Sequence, residues 1–131
     1  MEKINIFIAY SNLDTIIIDN IIKHLKLVNG YHELWYYHKT NSNMTMDEII
    51  KKIALMDIFI LFLSENSFRS YNVKKEIDAA KKSNMIKEYI TVIIDNKIEQ
   101  KTIPNFKKNN IICADPYITA ADNINKILHK Y

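Results

Sequence analysis

The most continuous apolar run in the chain is Ile58–Leu63, IFILFL, six residues rich in β-branched and aromatic types. A run so short, with no polar position on either face, fits a strand covered on both sides, as in a parallel sheet. A polar turn, Ser64 to Ser70, follows without a glycine, and then a helix whose Val73, Ile77 and Ala80 share one face. Ser70 is placed to cap that helix, its hydroxyl accepting from an otherwise unpaired N–H of the first turn. Glu76 lies six residues beyond Ser70, beside the apolar stripe. Its carboxylate is thereby held near the C-terminal edge of the sheet, where α/β proteins keep their sites.

The remaining pattern alternates between the strand period and the helix period. Residues 3–9, KINIFIA, predict a first strand with Ile4, Ile6 and Ile8 on one face and Phe7 and Ala9 on the other. Leu13, Ile17, Ile21, Leu25 and Val28 predict a buried helical stripe from Asn12 to Asn29, closed by Gly30. Glu33 to Tyr37, ELWYY, predicts the second strand. A polar loop, His38 to Met44, leads to Thr45 and Glu48, which have the spacing of a capping box. The helix they open runs to Met56 with Ile49, Ile50 and Ile53 inward. Tyr89 to Ile94 and Asn110 to Cys113 predict strands four and five, and the weakly patterned segment between them leaves room only for a short helix. Thr119, followed by Asp122, opens a last helix with Ile124, Ile127 and Leu128 apolar.

Strands alternating with helices predict an α/β fold, a flavodoxin-like three-layer sandwich with helices on both faces of a five-stranded parallel sheet. The common strand order for this pattern, 2-1-3-4-5, puts the topological switch point between strands one and three. Tyr10 and Ser11 would line that crevice on one side and the stretch from Ser64 to Glu76 on the other.

Composition narrows the function. The 131 residues predict a single domain over 1–131, with 48% hydrophobic and 25% charged residues, ordinary for a globular protein. One glycine in the whole chain excludes a glycine-rich phosphate cradle. The net charge is only +3, and the lysine pairs at 51–52, 74–75, 81–82 and 107–108 are spread over several elements. They read as solvated helix faces, so no nucleic-acid partner is expected. The lone cysteine, Cys113, excludes an internal disulfide framework and fits a reducing cytosol. Its neighbours Ile111 and Ile112 predict that it sits in the core. No run reaches membrane-spanning length, and MEKINIFIAY lacks a signal peptide's apolar segment and cleavage site. A cytoplasmic location without a membrane partner is the expectation.

Residue types then test the chemistries common on this architecture. A phosphoacceptor receiver needs acidic residues after strand one and an Asp closing strand three, but those positions hold Tyr10-Ser11-Asn12 and Ser64. Flavin binding wants a glycine in the loop after strand one, and SNLDT has none. His24, His32, His38 and His129 have no ligand-like spacing, so no metal is expected. What remains is one carboxylate among hydroxyls and amides. A single carboxylate suits cleavage of NAD+: nicotinamide leaves as a neutral molecule without an acid, and the ribosyl fragment resembles an oxocarbenium ion that an anion stabilises. The residues alone leave a second reading open, a solvated charge on a surface helix.

FIAYSNLD at 7–14, the region of Trp35, and IFILFLSENSFRSYNVKKEIDAA at 58–80 together resemble a Toll/interleukin receptor (TIR) domain over nearly the whole chain. Bacterial members commonly follow the central strand with SxNS and then S-x-W-x-x-x-E; Ser64, Asn66, Ser67, Ser70 and Glu76 match. In enzymatic members the matching Glu is catalytic for NAD+ cleavage, which implies that role for Glu76. Asn72 stands where the family has Trp. Trp35, Tyr36, Phe68 and Tyr71 are candidates to supply a stacking surface instead, though each also reads as core or plain surface. The loop HKTNSNM lacks the Pro-Gly and Arg of receptor-type members, where that loop mediates assembly and gates the site.

The resemblance therefore implies an NAD+ glycohydrolase or ADP-ribosyl cyclase with NAD+ as substrate and no bound cofactor. Glu76 would be catalytic, Tyr10 and Ser11 would position the nicotinamide-ribose end, and Ser64, Asn66, Ser67 and Asn72 would line the pocket. With the chain ending at Tyr131, no effector domain is expected in it. Standalone bacterial TIR proteins of this size resemble the sensor enzymes of Thoeris-type anti-phage defence, whose linear or cyclic ADP-ribose product activates a separate effector protein. Self-association through TIR–TIR contacts is implied as well. The rival readings are a non-catalytic TIR adaptor acting by homotypic contact, and a nucleoside deoxyribosyltransferase-like enzyme, which usually carries glycines around its Glu.

Overall fold

A computed structural model describes residues 3–36 and 44–131. The strands are β1 (Ile4–Ala9), β2 (His32–Trp35), β3 (Ile58–Leu63), β4 (Glu88–Ile93) and β5 (Asn109–Cys113). They form one all-parallel sheet in the order β2-β1-β3-β4-β5, as the sequence pattern predicts. The helices are α1 (Thr15–Ile22), α2 (Met46–Ile53), α3 (Glu65–Arg69), α4 (Tyr71–Lys82) and α5 (Tyr117–Leu128).

β3 shows why the sheet needs covering on both sides. All six of its residues are buried, and their side chains alternate between two cores. Ile58, Ile60 and Phe62 pack with Ile18 and Ile21 of α1 and with Ile124 and Leu128 of α5. Phe59, Leu61 and Leu63 pack with Ile53 of α2, Val73 and Ala80 of α4, and Phe106. Phe7 and Phe59, paired neighbours in the sheet, stack with ring centroids 5.9 Å apart. Fully burying each such side chain contributes about 1.5–3 kcal/mol, so this strand anchors both layers. β1 divides the same way, Ile4, Ile6 and Ile8 to the first core and Phe7 and Ala9 to the second.

Four expectations need correction. The first helix does not run from Asn12 to Asn29. A 3-10 turn at Asn12–Asp14 precedes α1, which stops at Ile22, and the chain reaches β2 through turns. Its buried residues are Ile18 and Ile21, whereas Leu13 and Val28 are exposed. The segment after β3 is not a plain turn but α3, closed by a reciprocal capping box between Ser64 and Ser67. The last helix begins at Tyr117 rather than Thr119. Cys113 is exposed, because β5 is an edge strand on which Ile112 points inward and its two neighbours point out.

The predicted caps are present. Thr45 accepts from the Glu48 N–H at 3.2 Å and Ser70 from the Val73 N–H at 3.2 Å. Gly30 does not stop the first helix, which ends eight residues earlier; it takes φ = 83°, the left-handed conformation that favours glycine, in the turn before β2. The end of the predicted second strand, Tyr37, and most of the loop after it lie outside the described residues.

Candidate functional site

At the C-terminal ends of β1 and β3, where the strand order reverses, a groove of about 300 Å³ opens on the face covered by α2 and α4. Its first wall is Tyr10, Ser11 and Asn12, directly after β1. Opposite stand Ser70, Asn72, Val73 and Glu76 from the start of α4. Met44, Met46 and Ile49, before and within the first turns of α2, close it with apolar surface.

Helix geometry explains how Glu76 reaches this groove. Ser70 fixes where α4 begins, and Val73, three residues before Glu76, is buried against the sheet. Residues three apart lie on neighbouring rows of one helix face, so the Glu76 side chain emerges beside the buried row rather than opposite it. It is half-buried there, and among the described residues its carboxylate has neither a hydrogen-bond nor an ion-pair partner. Loss of water with nothing to compensate pushes its carboxyl up from 4.5 to about 8. A carboxyl so strongly raised, in a cleft, marks a functional candidate.

The predicted site residues divide into two groups. Tyr10, Ser11, Asn72 and Glu76 come together around the groove. Tyr10 is buried and its ring packs beside Tyr36, centroids 6.3 Å apart, so it meets the groove as a fixed wall. Asn72 is exposed at the rim. Ser64, Asn66 and Ser67 lie behind the wall. Ser64 and Ser67 are buried and cap α3, with the Ser64 N–H donating to Ser67 Oγ at 2.8 Å. Ser64 Oγ and Asn66 Nδ2 both donate to the carboxylate of Asp14, the latter at 2.9 Å.

Of the stacking candidates, none lines the groove. The Trp35 indole N–H donates to Asn5 Oδ1 at 3.3 Å under the Lys52 ammonium, and Phe68 and Tyr71 are exposed outside it. Among the described lining residues Tyr10 is the only aromatic ring.

Sequence reasoning missed the apolar wall of α2 and the buried Asp14. The first was accessible, since the Thr45 cap places the first turn of α2 at the sheet edge where every helix of this fold begins. The second carried no local signal, because Asp14 sits in a polar stretch that reads as solvated loop.

A larger cavity of about 620 Å³ lies at the ends of β4 and β5, lined by Asp95, Cys113, Asp115 and Tyr117 among others. Its Asp95 carboxylate already accepts from the backbone N–H groups of Glu65 and Lys97, which hold it below the usual carboxylate range. Asp115, the other acid there, is exposed to solvent, whereas the carboxylate that burial perturbs is Glu76 in the smaller groove, at the switch point.

Comparison with known families decides what this arrangement belongs to. The TIR domain family matches residues 6–128. This chain is a TIR domain. The match takes in all five strands from the third residue of β1 onward, both walls of the groove, and α5 to its last residue. A search of curated proteins found no match to the TIR chain. TIR domains include both NAD+ hydrolases and adaptors, and they commonly self-associate. No described helix of this one is long and apolar enough to cross a membrane.

Proposed function

We propose that this TIR domain is an NAD+ glycohydrolase or ADP-ribosyl cyclase with Glu76 as its catalytic residue. The observation that carries the reading is the half-buried Glu76 carboxylate facing the switch-point groove, without a partner among the described residues.

In the reaction the bond between ribose C1′ and the nicotinamide nitrogen breaks. Its electron pair leaves with nicotinamide, neutralising that ring, and positive charge passes to C1′ and the ring oxygen of the ribose. A carboxylate beside that carbon stabilises the cation, and it does so more strongly in a partly buried groove than it would in bulk water. The acceptor is water in hydrolysis or a nucleophilic atom of the ADP-ribose itself in cyclisation. Glu76 in the empty groove is held mostly protonated near pH 7, and an adjacent cation favours its ionised form. Ser11 and Asn72 offer polar groups to the ribose hydroxyls and carboxamide, while Met46 and Ile49 cover the apolar ring faces. The ADP-ribose product would signal to a separate effector protein in anti-phage defence.

The test is NAD+ consumption by purified protein and by Glu76→Ala, each checked for folding by circular dichroism, with products resolved by mass spectrometry. Removing one electrostatic transition-state contact costs roughly 100- to 1,000-fold in rate. A folded Glu76→Ala with undiminished turnover refutes the assignment. One observation favours the adaptor reading: among the described residues that line the groove the fixed Tyr10 is the only aromatic ring, and Asn72 occupies the family's Trp position. Absence of NAD+ turnover under every assembling condition, with homotypic binding retained, decides for the adaptor.

A further inference from the structure

Asp14 is a buried acid beside the groove that the proposed chemistry does not use. It is 6% exposed, and it stands between the two loops that frame the groove. Its backbone N–H donates to Ser11 O at 2.9 Å, and Ser11 Oγ accepts from the Leu13 N–H at 3.2 Å, so residues 11–14 form a closed turn. Its side chain reaches across to the segment after β3. One carboxylate oxygen accepts from Ser64 Oγ and the other from Asn66 Nδ2 at 2.9 Å. Ser64 Oγ in turn accepts from the Ser67 N–H at 3.0 Å, as the cap of α3. α3 passes through Ser70 directly into α4, which carries Glu76.

We propose that Asp14 is a positioning residue that clamps the Tyr10–Asn12 wall to the β3–α3 segment and so sets the groove's width opposite Glu76. The inference rests on the reading of this groove as an NAD+ site for its kinetic consequence, though not for its structural one. The chemistry of the clamp favours a carboxylate. Both partners present donors, and an anion accepts from both with bonds stronger than neutral ones. An amide at position 14 meets Asn66 only after the Asn66 amide turns over to present its oxygen, and both contacts then lose their charge. The two walls are tied by weaker, neutral bonds, and misplacement of a positioning wall by about 1 Å costs on the order of 100-fold in rate.

Asn66 supplies an internal control, because it is exposed and can exchange roles with Asp14. In the exchanged pair, Asp14→Asn with Asn66→Asp, the new amide donates to the new carboxylate while its oxygen still accepts from Ser64.

The experiment compares wild type, Asp14→Asn, Asn66→Ala and the exchanged double variant in NAD+ turnover and in hydrogen exchange at the amides of residues 11–14. Expected is a 10- to 100-fold loss of kcat/KM in Asp14→Asn, a several-fold loss in Asn66→Ala, and recovery of at least half of the logarithmic loss in the double variant. Amides of Leu13 and Asp14 lose protection in Asp14→Asn and regain it in the double variant. If Asp14→Asn fails to fold, Asn66→Ala alone carries the decision through the same two readouts. Unchanged kcat/KM with unchanged protection in the folded variants overturns the clamp, as does a double variant no better than Asp14→Asn. If wild type turns over no NAD+, the functional reading has failed and the exchange data alone decide whether the clamp exists.

Discussion

Replacing Glu76 by Gln separates the cost of the buried carboxylate from its use. The carboxyl moves from 4.5 in the unfolded chain to about 8 in the folded one. At ~1.4 kcal/mol per pH unit, that difference of about 3.5 (8 − 4.5) corresponds to at most ~5 kcal/mol. The groove is open to water on one side, and screening reduces the figure to about 2–3 kcal/mol. The sign follows from proton counting. Between pH 4.5 and about 8 the folded protein keeps a proton that the unfolded chain has released, so stability falls as pH rises through that window. Glutamine is neutral throughout and has nearly the shape of the protonated acid. Glu76→Gln should therefore match wild type at pH 4.5 and exceed it increasingly up to about pH 8, with no further gain above.

For a chain of this size, 2–3 kcal/mol corresponds to a rise in Tm of about 6–15 °C at pH 9. Calorimetric or circular-dichroism melting of both proteins from pH 4.5 to 9 measures it, and the same samples should show NAD+ turnover lost in the variant. A site that destabilises its fold for activity gives that pairing of gain and loss. Parallel melting curves across the pH range would refute the reasoning, since they would mean that the carboxylate is solvated.

Two further outcomes follow from other titrating groups and states. The kcat/KM for NAD+ should rise with pH to a plateau above about 8, because the free protein must ionise Glu76; the kcat profile should inflect at lower pH, since a bound cation favours the anion. A profile flat from pH 6 to 9 would count against an anionic role. At the opposite edge of the sheet, burial and the neighbouring His129 hold His32 below its usual 6.5, and its Nδ1 accepts from the Val28 N–H at 2.9 Å. Its contribution is present above 6.5 and is lost as pH falls below that value, so His32→Asn should flatten the acid side of the Tm profile relative to wild type.

The layered sheet was legible because β3 and β1 carry their two-faced burial openly in residue type, and caps such as Thr45 and Ser70 mark helix starts within single residues. The place of Glu76 at the groove was legible as well, beside the stripe of Val73 and Ile77, whereas a role for it came only from the family resemblance. Other features depended on partners far along the chain. The apolar spacing from Leu13 to Val28 suggested one long helix, but Leu13 and Val28 at its ends are exposed, Ile17 and Leu25 are only partly buried against the core, and the turns at 23–31 are held by distant groups. Asn125, for example, accepts from the Lys26 N–H at 2.8 Å. The depth of Asp14 is of the same kind: its two donors stand 50 and 52 residues away. Cys113 misled because apolar neighbours in sequence point to opposite sides of an edge strand.

The junction of α3 and α4 has a consequence for how this domain can vary. A single residue, Ser70, ends one helix with its N–H on Ser67 O and starts the next with its hydroxyl on the Val73 N–H. From that point to Glu76 the backbone is a fixed screw advancing about 100° per residue. An insertion or deletion of one position there would rotate the acid out of the cleft toward bulk solvent while leaving the rest of the molecule intact. Related chains that keep this chemistry should therefore vary at the exposed positions of Tyr71, Lys74 and Lys75, but not in the number of residues separating the serine from the glutamate.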